Sequence, residues 1–344
     1  MTGKAKTNVL QVGLGPIGCA LTQLLRERSD IHIVGAIDSD PLKVGRDLGE
    51  LAGLPFLGVP VTSDIAALFR RQKVDVAVVT TTSSLVLTAE QLFQLVRCGV
   101  NVVSSCEELT YPWTTDADLA AQIDRAAREN DVAVLATGVN PGFLMDYLPI
   151  VLTGICRAVR KVTVERVQDA SFRRLPFQNK IGAGLTVAEF EAKVNAGTLR
   201  HVGLLESMNM IASSLGWTLD KAREVITPIL ADRRVVTAAA VVERGRVLGV
   251  QQTARGTIGG REVISMLFRA AIAEPDTRDR IVIDGTPQID SCIRGGVNGD
   301  EATCAILANA IPSVMHSGAG LRTMMNVEPP HAFGGLAQFA TRST

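Results

Sequence analysis

A short stretch near the start, Gly13-Leu14-Gly15-Pro16-Ile17-Gly18, constrains this chain more than any other feature. It follows directly on an apolar run, residues 8–12 (NVLQV), and it opens a segment, residues 17–28, with helical periodicity. In a GxGxxG pattern so placed, each glycine has its own task. Gly13 permits a tight turn, Gly15 lets a pyrophosphate approach the backbone, and Gly18 lets helix and strand pack closely. The helix start then offers N–H groups and a partial positive charge to phosphates. Gly13, Gly15, Pro16, Ile17 and Gly18 are therefore expected to line a dinucleotide. Asp38 ends the second apolar run, 31–37, about 20 residues past Gly18, where an acidic side chain accepts hydrogen bonds from ribose hydroxyls. Its charge repels a 2′-phosphate, which favours NAD. Lys43 and Arg46 lie close enough in sequence to reach such a phosphate, so NADP stays open. The competing reading of Asp38 is a helix N-cap before Pro41.

The rest of the first 135 residues alternates strand and helix signals. Strands are expected at 74–79, 100–103 and 132–135, and helices at 64–71, 84–97 and 116–129. This order implies a doubly wound parallel sheet of the Rossmann type. Thr80, Thr81 and Thr82 follow the fourth strand and are expected to line the cofactor. After about residue 145 the pattern changes. A strand at 159–167 precedes a glycine-punctuated stretch, then two or three helices over roughly 187–231. Two-residue alternation follows at 236–243, 247–258, 262–273 and 280–284. The fold class is α/β, with a second α+β domain built on a mostly antiparallel sheet. The expected borders are 1–145 for the dinucleotide-binding domain, completed by 300–344, and 146–299 for a substrate-binding and dimerisation domain. A helix at 300–310 carries the return.

Composition narrows the classes of partner. Hydrophobic residues make up 47% and aromatics 4%, which suits aliphatic-rich parallel strands. Basic and acidic residues balance at 35 each, and no basic tract marks a nucleic-acid or membrane surface. No apolar run approaches the roughly 18–20 residues of a membrane span. The opening MTGKAKTN is polar and does not read as a signal peptide, so a cytoplasmic location is expected. Six scattered cysteines with no CxxC pair suggest neither a zinc site nor a disulfide framework. No metal is expected.

Ligands of such sheets bind outside the carboxyl ends of the strands. Beyond the fifth strand the sequence reads Ser104-Ser105-Cys106-Glu107-Glu108-Leu109. Polyol dehydrogenases of similar layout place a Glu-Lys-Pro triplet there, but this segment has no Lys. The chain has only His32, His201, His316 and His331, none in either segment where related layouts place an acid/base group. A glutamate is therefore the expected acid/base. An apolar pocket would raise its pKa toward neutrality. The alternative is that both carboxylates are salt-bridged or solvated.

Five segments together resemble the native amine dehydrogenases, relatives of 2,4-diaminopentanoate dehydrogenase with a dihydrodipicolinate-reductase-like first domain. They are SCEELTYPW (105–113), GVNPGFLMDYLP (138–149), ERVQDASFRRLPFQNKIGAG (165–184), RHVGLLES (200–207) and GDEATCAILANAIP (299–312). The resemblance covers nearly the whole chain. It implies reductive amination of a small ketone or aldehyde with ammonia, using NADH or NADPH, in a homodimer. It also implies that the catalytic glutamate is Glu108, with Glu107 second. Asn140 and Phe143, in the turn after the sixth strand, are candidates for a pocket wall. Phe172, Phe177, Arg173 and Arg174 sit in a loop that could cover substrate or serve as a domain interface. His201, expected on a helix, reads as pocket or structural. Thr303 reads as substrate contact or helix cap, and Asn326 as a weak cofactor contact. Competing functions are an imine or carbonyl reductase that incorporates no ammonia, and a catalytically dead NAD(P)-sensing regulator.

Overall fold

Aliphatic runs and side-chain caps decide where the elements begin and end. The computed structural model describes residues 6–173, 175–237 and 241–332. Arg174, the middle of the alternating run 236–243, and the tail beyond 332 lie outside the described residues. The chain divides into two units, one comprising residues up to Phe143 and from Gly299 onward, the other Leu144–Asn298.

The first unit alternates β1 (Thr7–Val12), α1 (Pro16–Glu27), β2 (Ile31–Ile37), α2 (Leu48–Ala52), β3 (Val61–Thr62) and α3 (Ile65–Phe69). It continues with β4 (Val76–Val79), α4 (Leu85–Arg97), β5 (Asn101–Ser104), α5 (Ala117–Glu129) and β6 (Ala133–Ala136). Asp47, Asp64 and Asp116 start α2, α3 and α5 by accepting a hydrogen bond from a first-turn amide.

The second unit contains α6 (Tyr147–Thr153), β7 (Ala158–Asp169), α7 (Leu175–Lys180), α8 (Val187–Asn195), α9 (Leu204–Ser214) and β8 (Lys221–Leu230). Then come β9 (Val235–Val236), β10 (Val241–Val242), β11 (Val247–Ile258), β12 (Arg261–Ala271), β13 (Arg278–Thr286) and β14 (Ile289–Arg294). The chain returns to the first unit through α10 (Gly299–Met315) and β15 (Gly320–Arg322).

The first sheet has the order β15-β6-β5-β4-β1-β2-β3, with every neighbouring pair parallel. Its central strands β4 and β6 are buried at every position, as strands covered on both faces must be. Leu10, Val12, Val79, Val102 and Val134 pack beneath Leu92 and Leu95 of α4 and Ile123 of α5. Helix α10 packs with α1 and the strands β5 and β6. The direction of winding reverses between β1 and β4, which sets a crevice at their carboxyl ends.

The second sheet has the order β14-β13-β7-β12-β11-β8; only β12 and β7 run parallel. Two sequence expectations are corrected, and one strand is added. Helix does not extend to residue 231, because 221–230 is strand β8, paired with β11. Val225, Ile226, Thr227 and Ile229 suit a strand, and Pro228 is tolerated on this edge position. Strand β14 was not expected. Helix α10 does not stop at residue 310 but runs through Pro312, which removes one helix N–H and crowds the carbonyl four residues back, while buried Ile311 and Val314 hold this last part of the helix in place. Among the described residues, no helix is long and apolar enough to cross a membrane.

A buried ion pair sits inside the second unit. Arg166 donates to Asp279 at 2.7 Å and to the carbonyl of Val297 at 2.9 Å, while the Val297 amide donates to Asp279 at 2.8 Å. Burial works against both charges, and each partner opposes that for the other. The pair thereby grips the chain two residues before it leaves this unit. Arg166→Met is expected to cost about 3–5 kcal/mol, because Asp279 stays buried without its counter-charge. Urea unfolding measures this, and Arg166→Met with Asp279→Leu should recover much of the loss. A single variant as stable as the parent would show that the pair is dispensable.

Candidate functional site

Gly13 has φ +85°, and a Cβ there would lie 2.8 Å from the carbonyl oxygen of Thr80. A Cβ on Gly18 would come within 2.0 Å of the carbonyl oxygen of Gly13, so only glycine lets α1 start this close to β1. Gly15 differs, with nothing within 4 Å of its missing Cβ. It is the N-cap of α1, supplies no side-chain cap, and is followed by Pro16 with no acidic residue in the first turn. This open, uncapped, positive helix end fits the phosphates of a dinucleotide.

Asp38 is not a helix cap. One carboxylate oxygen accepts from the Leu14 amide at 2.8 Å and from Lys43 Nζ at 3.0 Å, and the other accepts from the Asp40 amide at 2.9 Å. Burial alone would raise its pKa, but the Asp40 and Leu14 amides and Lys43 outweigh it and hold the carboxyl below its ordinary range. Arg46 is committed to Glu50 at 2.6 Å. A cleft of about 510 Å³ is lined by Gly13, Gly15, Asp38, Lys43, Thr80 and Thr81, with Glu90, Gln91 and Gln94 of α4 on its far side. Sequence reasoning did not single out these α4 residues, although Thr81 binds Gln91 at 3.1 Å. The Thr82 hydroxyl instead accepts from the Ser84 amide at 3.3 Å and is not part of the lining.

Glu107 and Glu108 lie in a 3-10 turn, Glu107–Leu109, directly after β5, and both are half-buried. The Glu108 amide donates to the Ser83 carbonyl at 3.2 Å. Its carboxylate accepts from the Leu85 amide, at the start of α4, at 2.9 Å. Ser84, the N-cap of α4, makes no side-chain cap bond, so Glu108, 23 positions beyond Leu85, performs that service. One neighbour of this carboxylate is thus the N-terminal turn of α4. Through the Ser83 carbonyl, the turn holding it is tied to the chain just past Thr80 and Thr81, which line the cleft. Cys106 beside it is buried; burial, against bonds from Thr88 and Leu109, pushes its thiol up to about 12. It is a structural thiol rather than a nucleophile.

The remaining candidates scatter more widely. Asn140 and Phe143 are half-buried in the loop after β6. Thr303 lies inside α10, too late to cap it, and its hydroxyl accepts from the Val139 amide of that loop at 3.4 Å. Asn326 is exposed, and its side-chain oxygen takes the Thr323 amide at 2.9 Å within its own turn. In the second unit, Phe172 is 91% exposed. The Arg173 guanidinium stacks 4.2 Å over the Phe177 ring. His201 is not on a helix; it sits in the turn before α9 and stacks on Phe268 at 4.2 Å. Its backbone is pinned on both sides by Gln252, at 2.8 Å each. Phe177 and His201 share a small cavity of about 30 Å³, whereas Phe172 and Arg173 border another hollow with Gln168 and Asp169.

The profile of the 2,4-diaminopentanoate dehydrogenase C-terminal domain matches residues 143–342. The chain belongs to the 2,4-diaminopentanoate dehydrogenase family. The dihydrodipicolinate reductase N-terminus profile matches residues 7–136, the part of this family member that carries the glycine loop. The 2,4-diaminopentanoate dehydrogenase of Acetoanaerobium sticklandii is 31% identical over 96% of this chain and 96% of its own length. An amine dehydrogenase of Streptomyces virginiae is 26% identical, over 95% of this chain and 97% of that one. The amine dehydrogenase structure from Mycobacterium smegmatis has the same fold: TM-score 0.83 at 24% identity, covering 96% of this chain and 98% of that one. Membership of the family makes the chain an oxidoreductase that uses a nicotinamide cofactor.

His201 generates a pH prediction. Burial, reinforced by Lys180 and Arg166, lowers its pKa from 6.5 to about 3. The charged form is thus disfavoured in the folded state. The stability it confers is complete above 6.5 and is lost as pH falls from there toward about 3. His201→Asn should flatten that part of the acid limb in urea-unfolding profiles. An unchanged slope would assign the acid sensitivity to other groups.

Proposed function

We propose that the chain is an NAD(P)H-dependent amine dehydrogenase that converts a small ketone or aldehyde and ammonia to a primary amine, and runs in reverse as an oxidative deaminase. One observation carries this reading: a fixed carboxylate, Glu108, stands beyond β5, next to the turn that borders the dinucleotide cleft, in a segment without Lys or His. The relatives named as amine and diaminopentanoate dehydrogenases support it. Ammonium must lose a proton before its nitrogen attacks a carbonyl, and Glu108 accepts that proton. The carbinolamine must then shed water, and Glu108 returns the proton to the departing hydroxyl. Its negative charge stabilises the iminium that results. The nicotinamide supplies hydride to the iminium carbon. The sum is carbonyl plus ammonium plus reduced cofactor giving amine, water and oxidised cofactor, with charge balanced. Leu85 fixes the orientation of the carboxylate, and Glu107 conditions its surroundings. A cytoplasmic homodimer belongs to the same proposal; the long second sheet supplies a face to bury.

NADH oxidation with small ketones, with and without ammonium, tests the reading. Turnover is expected only with ammonium; equal turnover without it selects a plain carbonyl reductase, and binding without turnover selects a regulator. Glu108→Gln keeps size and the acceptor for Leu85 but loses the titratable group. Turnover should fall roughly a hundredfold to ten-thousandfold, with little change in NADH affinity. Glu107→Gln should be milder. If the collapse occurs in Glu107→Gln instead, the roles swap; near-normal turnover in both removes the glutamate mechanism.

Cofactor choice rests on Asp38 and Lys43. The Asp38 carboxylate favours NAD, while Lys43, 3.0 Å away, offsets part of its repulsion of a 2′-phosphate and leaves NADP acceptable. Asp38→Ala should weaken NADH use and improve NADPH use, and Lys43→Met should move the preference further toward NADH. Steady-state constants for both cofactors decide this. Ratios unmoved by either change would mean that neither residue reads the ribose.

A further inference from the structure

We propose that Gln11 is a positioning residue for the dinucleotide, acting from beneath the phosphate loop without touching the cofactor. The proposal rests on the nicotinamide reading above. Gln11 is fully buried in β1, between Leu10 and Val12. Its Nε2 donates to the Gly13 carbonyl at 3.0 Å and to Thr80 Oγ1 at 3.0 Å. Thr80 Oγ1 in turn lies 2.8 Å from the Gly13 carbonyl. The Oε1 of Gln11 is buried and has no hydrogen-bond partner among the described residues.

That last atom separates folding from function. A buried acceptor left unmet costs stability, and an apolar side chain of similar shape would avoid the cost. Replacing Gln11 with Met would orphan neither neighbour, because Thr80 still serves the Gly13 carbonyl. The fold alone therefore gives no reason for a glutamine here. What the glutamine adds is a second donor on the Gly13 carbonyl. With the Leu14 amide of the same peptide held by Asp38 at 2.8 Å, the Gly13–Leu14 peptide plane is fixed at both its carbonyl and its N–H. A loop ordered in advance spares the ligand the cost of ordering it on binding.

The test is NADH binding, followed by the cofactor's own fluorescence on the full chain without carbonyl substrate, alongside Tm. Gln11→Met should raise the NADH dissociation constant roughly tenfold, in line with losing a buried hydrogen bond, while Tm stays level or rises. An unchanged dissociation constant in Gln11→Met overturns the proposal. So does a fall in Tm alongside affinity, or a variant that no longer folds, since either makes Gln11 merely structural. A parent that binds neither NADH nor NADPH overturns the cofactor reading and this proposal together. A parent that binds NADH but aminates nothing removes only the amination reading.

Discussion

The close contact between the start of α1 and the end of β1 governs the first unit. With no side chain at Gly18, the helix settles directly on the Gly13 carbonyl, which thereby leaves solvent and must be satisfied from within. Thr80, the residue after β4, supplies the donor, and Gln11 of β1 adds a second. Placing β4 beside β1 is thus a hydrogen-bonding requirement of the loop as well as a matter of sheet order. From Thr80 the chain passes through Ser83, whose carbonyl receives the Glu108 amide. One glycine contact therefore orders a path from the phosphate loop to the carboxylate beyond β5.

Much of this was legible in the sequence, because the signals are local. The glycine loop, the apolar runs of β1, β2, β4, β5 and β6, and the helices between them can each be read from a dozen residues. Strand β8 could not. Its ten residues contain two prolonged neighbours of opposite tendency, charged Lys221, Arg223 and Glu224 and then β-branched Val225, Ile226 and Thr227. Pairing with β11, from Leu230 with Val247 to Lys221 with Thr257, decides the outcome, and no short window records that pairing. The two-residue β3 and three-residue β15 are likewise products of the neighbouring strands rather than of their own composition.

The same division applies to the site. Topology places Glu107 and Glu108 beyond the fifth strand, and sequence order alone conveys that. The Leu85 amide that holds Glu108 is a long-range partner with no sequence signature. Asp38 was legible as an acidic residue after β2, but its ion pair with Lys43 turns a simple repulsive charge into a partly neutralised one. Gln11 escaped notice because a polar residue at a strand's inner position carries meaning only once its two acceptors are known.

The three glycines of the loop divide by cause. Gly13 needs a positive φ, and Gly18 needs the absence of a Cβ, so the fold itself demands both. Gly15 answers to neither demand. Its φ of −72° and ψ of −175° are open to any residue, and the space beside it is empty. It also occupies an N-cap position, where Ser, Asp or Asn would satisfy a first-turn amide and stabilise α1 over glycine by about a few tenths of a kcal/mol. Stability alone would favour one of those residues. A glycine there leaves the first-turn amides uncapped and the approach to them unobstructed, which is the condition an incoming phosphate requires. Packing and conformation are both indifferent to a side chain here, and the open helix end that glycine leaves fits a phosphate.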